Sequence, residues 1–171
     1  EEHGDYQRRL CNFLTNELAP ESIASHRDRD EQDGCTEEFS RSFLRKLGNQ
    51  GFIGVSWPDK YGGKDDRTFD FIFQAEVGYH NAPGMDTGTF SYLPYALMDF
   101  GTSEQKATFL PKISKGEYRF FLGYTEPEAG SDLRGMKTNA IKSGDDWIIN
   151  GTKHFISNAH ISDFVVLFAV T

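Results

Sequence analysis

Tyr124-Thr125-Glu126-Pro127-Glu128-Ala129-Gly130-Ser131-Asp132, followed after a short interval by Asn150-Gly151-Thr152-Lys153-His154-Phe155-Ile156-Ser157-Asn158, is the stretch on which the reading of this chain turns. The first block starts where the apolar run Phe120-Phe121-Leu122 ends at Gly123, a run whose length suits a strand better than a helix. Thr125 then offers a hydroxyl, Glu126-Pro127 a rigid turn, and Ala129-Gly130-Ser131-Asp132 a loop of small residues. Gly130 lets backbone approach a ligand closely, and successive N–H groups with the Ser131 hydroxyl can cradle a phosphate oxygen. On spacing alone the plainer reading, a surface turn, is favoured, because short Gly-Ser loops are common.

Downstream, residues 137–142 alternate like a strand and Ser143-Gly144-Asp145-Asp146 supplies a turn. Trp147-Ile148-Ile149 and residues 152–156 flank Asn150-Gly151, so a two-residue hairpin is expected at that pair. The apolar run 164–170 reads as a buried strand. Four or five strands in so short a segment would leave sheet edges open unless more chain completed them.

Upstream of residue 119 the periodicity is helical. Leu10, Phe13, Leu14 and Leu18 mark a first helix that Pro20 should end. Thr36 reads as the cap of a second, with Glu37 and Glu38 in its first turn, a stripe of Phe39, Phe43, Leu44 and Leu47, and Gly48 and Gly51 as the stop. Residues 51–66, rich in glycine, read as a packed loop anchored by Phe52, Ile53 and Trp57. Thr68 is expected to cap a third helix carrying Phe69, Ile72 and Phe73. A fourth should run from about Asp86 to Phe100, bent or split at Pro94. Ser103 should cap the last, with Phe109, Leu110 and Ile113 inward, a break near Leu110 before Pro111, and Gly116 as the stop. The run Asp28-Arg29-Asp30-Glu31 reads as a solvated face.

The 171 residues suffice for one or two domains, and 15 Phe in a chain that is 37% hydrophobic provide a real core. Net charge is −8 with no dense Lys/Arg run, which argues against nucleic acid or an anionic membrane surface as a partner. The apolar runs are far shorter than the roughly twenty residues that span a bilayer, and the start Glu-Glu-His-Gly-Asp shows no secretory signal. Cys11 and Cys35 form no C-x-x-C pair and read as two thiols in a reducing compartment. His3, His26, His80, His154 and His160 show no metal spacing, so no metal site is expected.

Four motifs in one collinear order change the balance for the central block. Tyr124 to Asp132 retains a T-E-P-x-A-G-S-D loop, and Ile149 to Ala159 an I-N-G-x-K-x-W-I-[ST]-N-[AG] block with one change, at Phe155. Upstream stand Trp57-Pro58-Asp59-Lys60-Tyr61-Gly62-Gly63, and Gly101-Thr102-Ser103-Glu104-Gln105-Lys106 with Leu110-Pro111 and Gly116. Together these resemble the acyl-CoA dehydrogenase family across nearly the whole chain.

The resemblance implies an N-terminal all-α domain (residues 1–118) followed by the first part of an antiparallel, β-barrel-like middle domain (119–171), with a later helical domain absent from the chain. It implies FAD as cofactor, with the strand residues Leu122, Tyr124 and Thr125 along the isoalloxazine ring and Gly130 and Ser131 near the pyrophosphate and the CoA end of the substrate. Phe155 takes the place of an aromatic, usually Trp, that packs on the flavin, so stacking survives while an indole N–H is lost. Ser157 matches a hydroxyl near flavin N5. Phe90, Tyr92 and Tyr95 lie on a helix bordering the acyl pocket, with Ser131 as a further substrate contact. Because FAD and CoA esters are anionic, an acidic chain must hold their phosphates with local N–H and hydroxyl donors.

The family reaction removes an α-proton from an acyl-CoA thioester as a β-hydride passes to the flavin, which needs a carboxylate base. That base belongs to the later helical domain, so no catalytic residue is expected here; Glu126 and Glu128 read as loop braces. An acyl-CoA substrate, electron-transfer flavoprotein as redox partner, a homo- or hetero-tetramer, and a cytoplasmic or mitochondrial-matrix location complete the implied picture. Two rivals remain: a flavin oxidase or monooxygenase of the same fold, and a non-catalytic subunit packing against an active partner.

Overall fold

Helical periodicity in the first third becomes burial. On α1 (Glu2–Glu17), Tyr6, Leu10 and Leu14 point inward at one-turn spacing, and the Tyr6 hydroxyl donates to the Phe52 carbonyl at 2.9 Å. The computed structural model describes residues 1–27, 35–85 and 88–171, so the 28–31 charge run lies outside the described residues. The chain divides into two units, Glu1–Tyr118 and Arg119–Thr171.

In the first unit Pro20 opens a short α2 (Pro20–Ile23) just after α1 ends. α3 (Glu37–Asn49) begins as expected: the Thr36 hydroxyl accepts the Phe39 N–H at 3.4 Å. Gly48, expected as part of its stop, lies inside the helix. A Cβ there would sit 2.3 Å from the Lys115 carbonyl carbon, so the residue serves close helix approach and Gly51, at φ +72°, follows the helix end. The 51–66 loop is anchored by buried Phe52, Ile53 and Trp57, and closes the aromatic core with Phe43, Phe69, Phe73 and Phe90.

Two caps and one break come out differently from the sequence reading. Thr68 is the first residue of α4 (Thr68–Tyr79) and not its cap; the acceptor for its N–H is Asp66 Oδ1, at 2.8 Å. Asp86 and Thr87 lie outside the described residues; from Gly88 a π-helical turn (Gly88–Tyr92) leads into α5 (Leu93–Phe100). Pro94 stands in the first turn of α5, a position that proline tolerates, so it helps start a helix. α6 (Ser103–Ser114) is capped by Thr102 and not Ser103. The Thr102 hydroxyl accepts the Gln105 N–H at 3.1 Å while the Gln105 side chain accepts the Thr102 N–H at 2.8 Å. α6 runs unbroken through Pro111.

The second unit holds two small sheets. β1 (Phe120–Gly123) pairs with β4 (Phe164–Leu167) in parallel, and β2 (Asn139–Ser143) pairs with β3 (Asp146–Asn150) in antiparallel fashion. The antiparallel expectation thus holds for β2–β3 and fails for β1–β4, because a long crossover brings the chain back in the same direction. A parallel bridge between Asn139 and Val170 links the two pairs.

The hairpin does not fall at Asn150-Gly151. Ser143 pairs with Asp146, so the two-residue turn is Gly144-Asp145, with positive φ at Gly144 (+64°) alone of the two, the pattern of a type II′ turn. Gly151 instead packs its bare Cα against Thr138: a Cβ would stand 2.6 Å from the Thr138 Cα. Residues 152–156 form no strand. The terminal strand is real but not buried, with Val165 43% exposed, since each two-stranded sheet leaves faces without a covering layer. Cys11 and Cys35 are free thiols, and among the described residues no helix is long and apolar enough to cross a membrane.

Candidate functional site

The two motif blocks meet in space through one carboxylate. Glu126 and Ala129 exchange backbone hydrogen bonds across the Pro127-Glu128 corner (2.8 and 3.2 Å), which turns the Glu126 side chain into the unit. Its Oε2 accepts the Lys137 N–H at 2.6 Å, and its Oε1 accepts the Thr138 N–H and the Lys153 ammonium, each at 2.9 Å. Thr138 foremost, then Lys153 and the Lys137 N–H, outweigh burial and hold the carboxyl down at about 2. A carboxylate so committed is a poor proton acceptor. Glu128 is exposed and paired with the Lys137 ammonium.

Lys153 belongs to the second block and carries the join. Its ammonium also donates to the Tyr124 carbonyl at 3.0 Å, and one residue on, the His154 N–H donates to the Thr125 carbonyl at 2.9 Å. Its side chain is 11% exposed and that of Glu126 only 5%. Sequence reasoning assigned Lys153 no role, although its place in the second motif, opposite an acid in the first, was a signal for one.

Around this join lie the residues singled out in the sequence. Leu122 on β1, Tyr124 and Thr125 are half-buried, and the Tyr124 ring meets Phe168 edge-on at 4.1 Å. Phe155 takes a left-handed conformation (φ +54°) that leaves its ring 83% exposed, leaning on His154 at 3.8 Å. Ser157 is exposed. Asn158, also left-handed (φ +60°), is buried, and its Oδ1 has no hydrogen-bond partner among the described residues. Gly130 and Ser131 are exposed, and nothing lies within 4 Å of the position a Gly130 Cβ would take. Asp132 holds that loop's far end, its Oδ1 accepting the Arg134 N–H at 3.1 Å. An exposed aromatic, an unpartnered buried acceptor and an open Gly-Ser loop fit a large, flat, phosphate-bearing group.

The acyl-side candidates belong to the first unit. Phe90 is buried in its aromatic core. The Tyr95 hydroxyl donates to Asp70 Oδ2 at 2.5 Å and lies 2.9 Å from Ser56 Oγ, with the Arg67 guanidinium 4.0 Å from the ring centre; burial, then the Asp70 bond, push its pKa up. Tyr92, 58% exposed, is the one of the three with substantial surface. Among the described residues there is no cluster of three or more metal-ligating side chains.

Comparison with known proteins places this architecture. The model of the acyl-CoA dehydrogenase N-terminal domain matches residues 1–117, and that of the acyl-CoA dehydrogenase middle domain matches residues 122–171. The chain belongs to the acyl-CoA dehydrogenase family. It is 36% identical to the mitochondrial long-chain specific acyl-CoA dehydrogenase of Mus musculus, over 99% of this chain and 38% of that protein. It is 33% identical to the mitochondrial isovaleryl-CoA dehydrogenase of Bos taurus, over 100% of this chain and 39% of that one. Among solved structures, the ChsE4–ChsE5 complex of Mycobacterium tuberculosis superposes with a TM-score of 0.85 at 30% identity, over 98% of this chain and 41% of that one. A glutaryl-CoA dehydrogenase of Mycobacterium smegmatis does so at 0.80 and 28% identity, over 99% and 42%. The chain thus spans about two-fifths of the length of these relatives.

Proposed function

We propose that this chain forms the N-terminal helical domain (1–118) and the start of a barrel-like middle domain (119–171) of an FAD-dependent acyl-CoA dehydrogenase. The observation that carries the reading is the apposition of the two motif blocks: the His154 N–H on the Thr125 carbonyl and the Lys153 ammonium on the Tyr124 carbonyl. Bound FAD supplies the hydride acceptor for oxidation of the α,β carbon–carbon bond of an acyl-CoA thioester. In this reading the chain's own residues bind and orient. Thr125 offers its hydroxyl to the ring's polar edge, and Leu122 and Tyr124 line the same edge. Phe155 stacks, and Ser157 hydrogen-bonds near N5. Gly130 and Ser131 present donors to the pyrophosphate and the CoA end. Tyr92 is the acyl-side contact with surface to give, Phe90 and Tyr95 supporting it from their packed positions. Glu126, occupied by its three donors, is not the base that takes the α-proton.

An acyl-CoA substrate, electron-transfer flavoprotein as electron acceptor, a tetrameric assembly, and a cytoplasmic or matrix setting belong to the same proposal. It is tested by purifying the intact protein and recording its flavin spectrum, then adding acyl-CoAs of graded length without oxygen. Tight FAD and bleaching of the oxidised flavin by an acyl-CoA are the expected results. A protein that takes up no FAD would refute the reading, and fast re-oxidation by oxygen during turnover would assign it to the oxidases of the fold.

A further inference from the structure

Residues 151–163 contain no helix or strand, yet carry Phe155 and Ser157. A segment of that kind has no ladder to fix its place, so the position of any group on it depends on the few bonds that tie it to its neighbours. Two of those bonds run from consecutive residues, Lys153 and His154, to consecutive carbonyls, Tyr124 and Thr125. The backbone bond alone is a hinge; the second, through the Lys153 ammonium, removes the rotation about it. The other end of the ammonium rests on Glu126, which in turn holds the N–H groups of Lys137 and Thr138 at the entrance to β2. Lys153 and Glu126 therefore join three pieces of chain: the end of the β1 segment, the entrance to β2, and the irregular segment.

We propose that Lys153, with Glu126, is a positioning residue for the flavin face, locking the Thr125 edge and the Phe155–Ser157 edge of the site into one spacing. This rests on the functional reading above. Neither side chain needs to touch the cofactor. Both are nearly buried, and their hydrogen bonds go to Tyr124, Lys137, Thr138 and each other. The ammonium is suited to the task because one head group reaches a carbonyl and a carboxylate at once, with three donors to distribute. The depressed pKa of Glu126 agrees with a carboxylate that stays charged over the working pH range. The general rule is that groups around a site must be held to within a fraction of an ångström by a supporting shell, and here the supporting shell is this pair.

The test uses the intact flavoprotein and three variants: Lys153→Met, which keeps the aliphatic stem, Lys153→Arg, which can still bridge carbonyl and carboxylate, and Glu126→Gln. Lys153→Met should weaken FAD binding at least tenfold and alter the shape of the bound-flavin absorption and circular dichroism bands. Lys153→Arg should recover most of both, and Glu126→Gln should fall between. In the flavin-free protein, amide exchange at His154 should speed up at least tenfold in Lys153→Met while the β2–β3 hairpin amides stay within twofold of wild type. Wild-type affinity and spectrum in Lys153→Met would overturn the inference. So would equal acceleration across the hairpin and His154, with no recovery by Lys153→Arg, since that is the pattern of general destabilisation. A wild-type protein that binds no FAD would instead overturn the functional reading, and the flavin role of the pair with it.

Discussion

Gly151→Ala separates close packing from turn formation at the Asn-Gly pair. An added Cβ would stand 2.3 Å from Thr138 Oγ1 and 2.6 Å from both Cα and Cβ of Thr138, where ordinary carbon contacts lie near 3.5–4 Å. The neighbour is backbone as well as side chain, so no rotamer change relieves it and one segment must move by about 1 Å. Overpacking of this kind costs about 1–3 kcal/mol. The glycine's φ of +154° adds strain of the order of 1 kcal/mol for alanine. The sum, about 2–4 kcal/mol, is roughly thirty- to a thousandfold in an opening equilibrium. Because Thr138 carries an N–H to Glu126, the loosening should appear in exchange of the Thr138, Lys137 and His154 amides, read by mass spectrometry or NMR. Gly144→Ala is the control: its φ is +64°, nothing lies within 4 Å, and it should cost only about 1 kcal/mol, near fivefold. Equal effects of the two substitutions at these amides would refute the packing argument, and a larger effect of Gly144→Ala would reverse it.

Acid should loosen the second unit by a defined route. Glu126 titrates at about 2 when folded against an ordinary 4.5, so its contribution is complete above about pH 4.5 and is lost as pH falls towards 2. Amide exchange corrected for intrinsic rates should show His154 and Thr138 losing protection across that window, and Glu126→Gln should flatten the dependence; an unchanged slope in the variant would contradict the assignment. In the intact enzyme Ser157→Ala should slow single-turnover flavin reduction by roughly ten- to a hundredfold, the worth of a lost transition-state hydrogen bond, while leaving folding unchanged. Thr125→Val should instead lower FAD occupancy on purification; wild-type reduction by Ser157→Ala at full occupancy removes the role given to that hydroxyl. Residues 1–171 alone should bind FAD weakly, because affinity needs a closed, pre-organised site and the second unit offers exposed walls; a submicromolar titration would contradict this.

The helical half was legible because its signals are local. Leu10 and Leu14, or Phe43, Leu44 and Leu47, bury where the 3.6-residue period says they should. Helix starts slipped by one or two residues at Thr68 and Ser103, where a neighbouring Asp66 or Thr102 made the better acceptor; such choices depend on loop geometry that spacing does not encode. The β half was legible in content and only partly in pairing. The turn at Ser143–Asp146 falls where the sequence put it, while Asn150-Gly151, the stronger hairpin signal, forms none because Gly151 packs bare against Thr138, a contact between residues distant in sequence. The parallel β1–β4 pair was hidden for the same reason. As for the site, its motifs could be read residue by residue, while Lys153 and Asn158 were passed over: a buried strut and an unpartnered acceptor show themselves only through their surroundings.

Reduction of the intact flavoprotein by acyl-CoA, titrated without oxygen, is the decisive measurement. An acyl-CoA of suitable chain should bleach the oxidised flavin with one enoyl-CoA formed per flavin reduced, and Lys153→Met should be reduced more slowly at saturating substrate. A flavin that remains oxidised in the presence of every acyl-CoA tried, or a purified protein that holds no flavin at all, would contradict the proposed function.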